Sequence, residues 1–352
     1  MTPQLAIARL VERRGFSEDE TAALFGAMLA GAATPAQIGA ILATLRAKGE
    51  TAAELTGIVR TLRARATPVP DVPTQAVDTC GTGGDGRGTF NISTAVALVT
   101  AACGVPVAKH GNRAISSRSG STDVLEELGV VVDLGPEALG RCVRTLGIVF
   151  LHAPALHPAL GQLAGPRREL GVRTALNVAA PLANPAGVRR QIVGVASSGL
   201  VPVLAEVLSR VGCDRAWVVH GAGGLDELGL SGPSIVAEVT GRQIRTTTVR
   251  PADAGLPERP HDESLDAATP AASAACIRAV LDGAPGAPRD IVCLNVAAAL
   301  VVAGAVTDLR SGAKRAEAAL DHGTARALLD RLVAFTRAEA AEASGRRTGR
   351  TG

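Results

Sequence analysis

DTCGTGGDGRGTFNIST, residues 78–94, decides how this chain is read. A short β-branched run enters the stretch, and Gly81, Gly83, Gly84, Gly86 and Gly88 punctuate it. Asn91, Ser93 and Thr94 then open an apolar segment of helical texture. Strand, glycine loop and helix start, in that order, belong to α/β proteins, which place ligands beyond the carboxyl ends of parallel strands. Glycines let backbone N–H groups approach an anion without interference from Cβ, and successive N–H groups at a helix N-terminus form an anion nest. Residues 109–121 read KHGNRAISSRSGS and follow a second predicted strand. Together the two loops suit a sugar bearing several phosphates.

GTGGDG also satisfies G-x-G-x-x-G, the dinucleotide-binding fingerprint. That fingerprint expects an acidic residue about 20 positions on, to hold the ribose hydroxyls. No Asp or Glu occurs between Asp85 and Asp123, and the absence of any Gly-Lys pair removes the P-loop. A glycine-rich turn that merely joins strand to helix is the plainer alternative, and the second loop counts against it. Lysine is rare, occurring only at Lys48, Lys109 and Lys314, and Lys109 directly precedes His110-Gly111-Asn112-Arg113. An ammonium is a compact point charge for phosphate. Two of the five asparagines, Asn91 and Asn112, fall in the same loops.

A chain of 352 residues has room for a large core and two structural units. A net charge of +3 on scattered arginines, with 2% aromatics, argues against nucleic acid as a partner. Six separated cysteines without a C-x-x-C pair read as small buried residues in a reducing cytoplasm. Arg9, Glu12, Arg13 and Arg14 stand where a signal peptide needs an apolar core. The longest apolar run, residues 291–306, is interrupted by Asn295 and reads as a buried helix, not a membrane span.

Capping-box patterns at Ser17/Glu20, Thr34/Gln37 and Thr51/Glu54, with the segment before Arg14, predict about four helices ahead of Ala66. TPVPDVPT at residues 67–74 is a linker. Beyond it, β-branched runs at 76–79, 105–108, 130–133, 148–151 and 216–219 alternate with helical stretches such as 93–103 and 122–128. The expected fold is α/β: a helical domain over 1–70, completed by part of 162–198, and an α/β domain over 75–335 with a mainly parallel sheet. Residues 336–352, with Arg346, Arg347 and Arg350, read as a disordered tail.

Two further segments carry chemistry. In HGAGGLDELGLSGPS, residues 220–234, Asp226 and Glu227 follow a predicted strand. Alone, such a pair reads as a solvated turn, but beside a phosphate nest and a lone lysine it suits magnesium, which bridges carboxylates to substrate phosphates. In HPALGQLAGPRRELGVRTALNVAAPLANP, residues 157–185, two of Arg167, Arg168 and Arg173 read as helix-surface charges. Arg167, close after Gly165-Pro166, is a candidate partner for a carboxylate ligand.

Taken in order, these four segments resemble the anthranilate phosphoribosyltransferase family of tryptophan biosynthesis. The similarity runs from the N-terminal helices to about residue 310, and paired GTGGD…NIST and KHGNR are its specific part. The resemblance implies a nucleoside phosphorylase/phosphoribosyltransferase-like fold and a cytoplasmic homodimer formed through the helical domain. It also implies transfer of phosphoribose from phosphoribosyl pyrophosphate to the amine of anthranilate, with two magnesium ions. Carried over by motif, the donor site is Gly81, Gly84, Asp85, Thr89, Asn91, Ser93, Thr94, Lys109, His110, Gly111, Asn112, Arg113, Ala114, Ile115, Ser116, Ser117 and Ser121. Gly81, His110, Asn112 and Arg167 would face anthranilate, Ser93, Asp226 and Glu227 would hold magnesium, and Lys109, His110 and Asn112 would be catalytic. Ala180-Pro181-Leu182 stands where the family usually has Gly-Pro-Leu, so an extra methyl narrows the anthranilate channel. The rivals are a pyrimidine nucleoside phosphorylase and a non-catalytic, nucleic-acid-binding relative.

Overall fold

The computed structural model describes residues 1–113, 120–260, 263–267 and 269–348. The capping boxes form where their spacing placed them. After α1 (Pro3–Val11), they open α2 (Glu18–Leu29), α3 (Pro35–Lys48) and α4 (Ala52–Arg65), each box satisfying two otherwise orphaned N–H groups. Glu54 does more than cap α4. Its buried carboxylate also accepts from the Phe16 N–H at 3.1 Å and from Lys48 Nζ at 2.9 Å, tying the starts of α2 and α4 to the end of α3.

The larger unit runs β1 (Val77–Gly81), α5 (Ile92–Ala102), β2 (Val107–Gly111), α6 (Ser121–Glu127), α7 (Pro136–Leu146), β3 (Ile148–His152) and α8 (Ala153–Leu156). It continues with α9 (Gly161–Leu170), α10 (Ala175–Ala179), β4 (Arg190–Gly194), α11 (Leu200–Arg210) and β5 (Arg215–His220). The hairpin β6 (Ser234–Thr240) and β7 (Gln243–Val249) then precedes α12 (Pro270–Leu281), α13 (Ala287–Ala303), α14 (Leu309–Asp321) and α15 (Thr324–Thr348). The sheet order is β3-β2-β1-β4-β5-β6-β7, parallel from β3 to β5 and antiparallel through β6 and β7. The strand order reverses between β1 and β4, and such a switch point is where an open α/β sheet leaves a crevice for ligand.

Two expectations change and one is narrowed. Residues 130–133 form no strand; the Val130 N–H turns back onto the Leu125 carbonyl at 2.9 Å, so Val130 and Val132 bury side chains without ladder pairing. The range 162–198 divides: α9 and α10 share a buried cluster with α1–α4, through Leu163, Ala175 and Leu176 against Ile41, Leu42 and Ile58, while β4 enters the sheet. The tail expected at 336–352 is helical as far as Thr348, because Thr336 is buried with its Oγ1 accepting from the Val131 N–H at 3.1 Å and Glu339 pairs with Arg141. Residues 349–352 lie outside the described residues. No helix among the described residues is long and apolar enough to cross a membrane.

Candidate active site

Parallel strands deliver β1, β2, β4 and β5 to one edge of the sheet, and the loops that follow them meet there. Gly81 and Gly194 are partners in the β1–β4 register. A Cβ on Gly81 would stand 2.9 Å from Asp226 Oδ2, and one on Gly194 would overlap the Asp226 backbone, so the acidic loop after β5 lies across both strand ends. The Gly83 N–H donates to Asp226 Oδ2 at 2.8 Å. Gly83 and Gly84 have φ of 62° and 83°, the left-handed region in which glycine is unstrained. The phosphate loop and the acidic loop are thus one structure.

Its electrostatics call for a cation. Burial first, and then the neighbouring Asp85, raise the Asp226 carboxyl above its ordinary value. Glu227 is pushed well up by burial and by Asp226, with Lys109 working in the opposite direction. Asp85 Oδ1 accepts from the Arg87 N–H at 3.1 Å, while its Oδ2 is buried without a hydrogen-bond partner among the described residues. Among those residues no three His, Cys, Asp or Glu side chains form a complete metal cage. Magnesium takes one or two carboxylates and completes its shell with water and substrate phosphate.

The opposite wall is β2, where Lys109 and His110 are both buried. Asp78 fixes it: Oδ1 accepts from the His110 N–H at 3.1 Å, and Oδ2 accepts from Asn184 Nδ2 at 2.8 Å and Gln191 Nε2 at 3.3 Å. Burial raises the Asp78 carboxyl to about 6, with Lys109 as the largest opposing influence. The His110 ring lies 5.3 Å from that of His157, and Nε2 of each is buried without a partner among the described residues. Burial, followed by His157 and Lys109, lowers His110 to about 3, so its imidazole is neutral at pH 7. A neutral ring whose other side meets the Ala180 backbone presents Nε2 as an acceptor, not as an acid.

The remaining expected residues divide between the loops and the outer surface. Asn91 caps α5, accepts from Thr94 Oγ1 and donates its N–H to Ser273 Oγ at 2.8 Å. Ser93 is half-buried in the first turn, and its carbonyl accepts from Thr79 Oγ1 at 3.2 Å. Thr89 bridges to Asp266. Ser121 Oγ donates to the Asn112 carbonyl at 3.3 Å, and a Cβ on Gly111 would overlap that hydroxyl. Arg113 lies in the second loop, and its guanidinium pairs with Asp123 at 3.2 Å and with Glu126 on the outer face of α6. Ala114, Ile115, Ser116 and Ser117 lie outside the described residues.

Of the three arginines near α9, Arg168 is exposed. Arg167 is half-buried, its guanidinium makes no hydrogen bond or ion pair among the described residues, and burial lowers its pKa. An uncompensated guanidinium of this kind suits a planar carboxylate. Arg173 departs from the surface role: Nη2 donates to the Thr82 carbonyl at 2.7 Å, inside the phosphate loop. Sequence reasoning missed it, along with Asp78, Asn184, Gln191 and Gly194. Only Asp78, the first residue of the opening motif, and Asn184, one of five asparagines, carried any signal.

Residues 4–66 match the glycosyl transferase family, helical bundle domain, and residues 73–326 match the glycosyl transferase family, a/b domain. Anthranilate phosphoribosyltransferase of Anaeromyxobacter dehalogenans (strain 2CP-C) is 52% identical over 333 residues, 95% of this chain and 98% of that protein. The chain belongs to the anthranilate phosphoribosyltransferase family. The crystal structure of the family member from Thermus thermophilus superimposes with a TM-score of 0.88 at 40% identity, covering 94% of this chain and 99% of that one. A Saccharomyces cerevisiae member solved with phosphoribosyl pyrophosphate and magnesium shares the fold, with a TM-score of 0.85 at 24% identity over 96% and 98% of the chains. The family's activity is pentosyl transfer, and neither the nucleoside phosphorylase nor the nucleic-acid-binding alternative is favoured.

Proposed function

We propose that this chain transfers the phosphoribosyl group of phosphoribosyl pyrophosphate to the amine of anthranilate, with donor and acceptor held by different parts of the fold. The observation that carries the reading is the hydrogen bond from the Gly83 N–H to Asp226, which fuses an anion nest to a carboxylate pair. In the reaction the C1–O bond to pyrophosphate breaks with its electron pair on oxygen, the amine nitrogen forms the new bond to C1, and the nitrogen then sheds a proton. Asp226 and Glu227, with Ser93 as a further oxygen, would hold magnesium, which would supply positive charge to the departing pyrophosphate. Two ions are part of this reading, with water and substrate phosphate oxygens completing their shells. Lys109 and the loop N–H groups are preorganised donors for the same developing charge. His110 Nε2 accepts from the amine and orients its lone pair toward C1. Arg167 holds the carboxylate of anthranilate. A homodimer through the helical domain is supported by Leu5 and Val11, which expose apolar side chains on α1. A cytoplasmic location accords with six cysteines that are all free.

The test mixes protein, anthranilate, phosphoribosyl pyrophosphate and magnesium and follows the fall in anthranilate fluorescence. Absence of turnover would sink the reading. In the same assay Arg167→Ala is expected to raise the KM for anthranilate by about tenfold to a hundredfold, the value of a charged hydrogen-bonded pair. A change confined to the donor KM would remove Arg167 from the acceptor site.

A further inference from the structure

One peptide group of the phosphate loop is held at both of its polar ends. Its carbonyl, that of Thr82, accepts from Arg173 Nη2 at 2.7 Å, and its N–H, that of Gly83, donates to Asp226 Oδ2 at 2.8 Å. A cation therefore fixes the oxygen and an anion fixes the nitrogen. The guanidinium also lies over Gly84, where a Cβ would overlap it, and its charge is felt by Asp226 and Asp85.

This peptide needs such fixing. Gly83, at positive φ, lowers on its side the steric barrier that ordinarily stops a peptide from rotating about its flanking bonds. A rotated Thr82–Gly83 peptide would present a carbonyl oxygen, not an N–H, to an anionic ligand, converting an attractive contact into a repulsive one. Asp226 holds the N–H only until its carboxylate is engaged elsewhere. Arg173 reaches the loop from the short link between α9 and α10. Gly171, in the left-handed conformation, ends one helix there, and Thr174, in a capping box with Asn177, begins the next. The cation is therefore anchored from outside the loop that it holds.

We propose that Arg173 is a positioning residue that latches the Thr82–Gly83 peptide with its N–H facing the pyrophosphate. Were Asp226 to engage a metal ion, the Gly83 N–H would be free for the ligand while Arg173 keeps the carbonyl turned away. The inference rests on the reading of this loop as a pyrophosphate cradle.

Calorimetric titration of inorganic pyrophosphate with magnesium into the full-length chain, alongside steady-state kinetics, tests it. For Arg173→Gln the dissociation constant of pyrophosphate and the KM for phosphoribosyl pyrophosphate are expected to rise together by about tenfold, the value of one charge-assisted hydrogen bond. The anthranilate KM should stay within about twofold, and Arg173→Lys should recover part of the loss. Added guanidinium should lower the donor KM of Arg173→Ala, a response that a merely structural role would not give. Wild-type protein that binds no pyrophosphate would overturn the cradle itself. Wild type and Arg173→Gln binding it equally, or a rise confined to the anthranilate KM, would overturn the latch alone.

Discussion

Replacing Lys109 with alanine lowers kcat by about a hundredfold to a thousandfold, the measured scale for removing one preorganised donor from a developing oxyanion. The ammonium is buried on β2, between Asp78 on the neighbouring strand and the acidic loop, where low polarity strengthens its attraction to a departing phosphate oxygen. Backbone pairing of β2 with β1 and β3 does not involve the side chain, so the sheet should persist. The variant has a second signature. The Asp78 carboxyl already titrates at about 6 in place of 3.8, and a folded value above the unfolded one means stability that is present in acid and lost as pH rises through about 6. That penalty is roughly 3 kcal/mol at neutral pH, at about 1.36 kcal/mol for each pKa unit. Without Lys109 it grows, so Lys109→Ala should lose more Tm relative to wild type at pH 8 than at pH 5. Unchanged kcat removes Lys109 from the reaction, and a pH-independent Tm difference removes it from the neighbourhood of Asp78.

Asp226→Asn should separate activity from stability. The asparagine Oδ1 can still accept from the Gly83 N–H, so the junction of the two loops survives, while a buried negative charge beside Asp85 and Glu227 disappears. Activity, kcat/KM for the donor, is expected to fall by about a thousandfold or more and not to return with excess magnesium, because a neutral amide is a poor ligand for a hard cation. Tm in metal-free buffer at pH 8 should rise, since folding no longer forces three carboxylates together. A variant within tenfold of wild-type activity would show that the metal is held elsewhere. A lower Tm would mean that the carboxylate stabilises the loop by more than its repulsion costs.

The parts legible in the sequence were those written in local chemistry. Ser17, Thr34 and Thr51 mark helix starts because a hydroxyl three residues ahead of Glu or Gln satisfies specific N–H groups, whatever the rest of the chain does. Asp226 and Glu227 stood out as adjacent carboxylates among glycines, and the geometry brings Asp226 onto the phosphate loop. What escaped depends on distant partners. Val130–Val132 has strand composition but no neighbour to pair with, whereas β4 carries Arg190 and Gln191 and pairs because β1 and β5 flank it. Arg173 looked like any helix-end arginine, since its acceptor lies 91 residues earlier in the chain. Asp78 and Asn184, 106 residues apart, meet only after the sheet forms.

The sharing of one core by α1–α4 with α9 and α10 has a consequence for redesign. Arg167 and Ala180 belong to the segment that packs on the helical bundle, whereas the donor loops spring from the strand ends. The two substrates are therefore addressed largely by different segments, with His110 on β2 and Arg173 before α10 as the crossovers. Libraries confined to residues 157–185, with Arg173 and Asn184 kept for the donor loops, should diversify the accepted arylamine, and Gly194 should be left untouched throughout, since a Cβ there would overlap the Asp226 backbone.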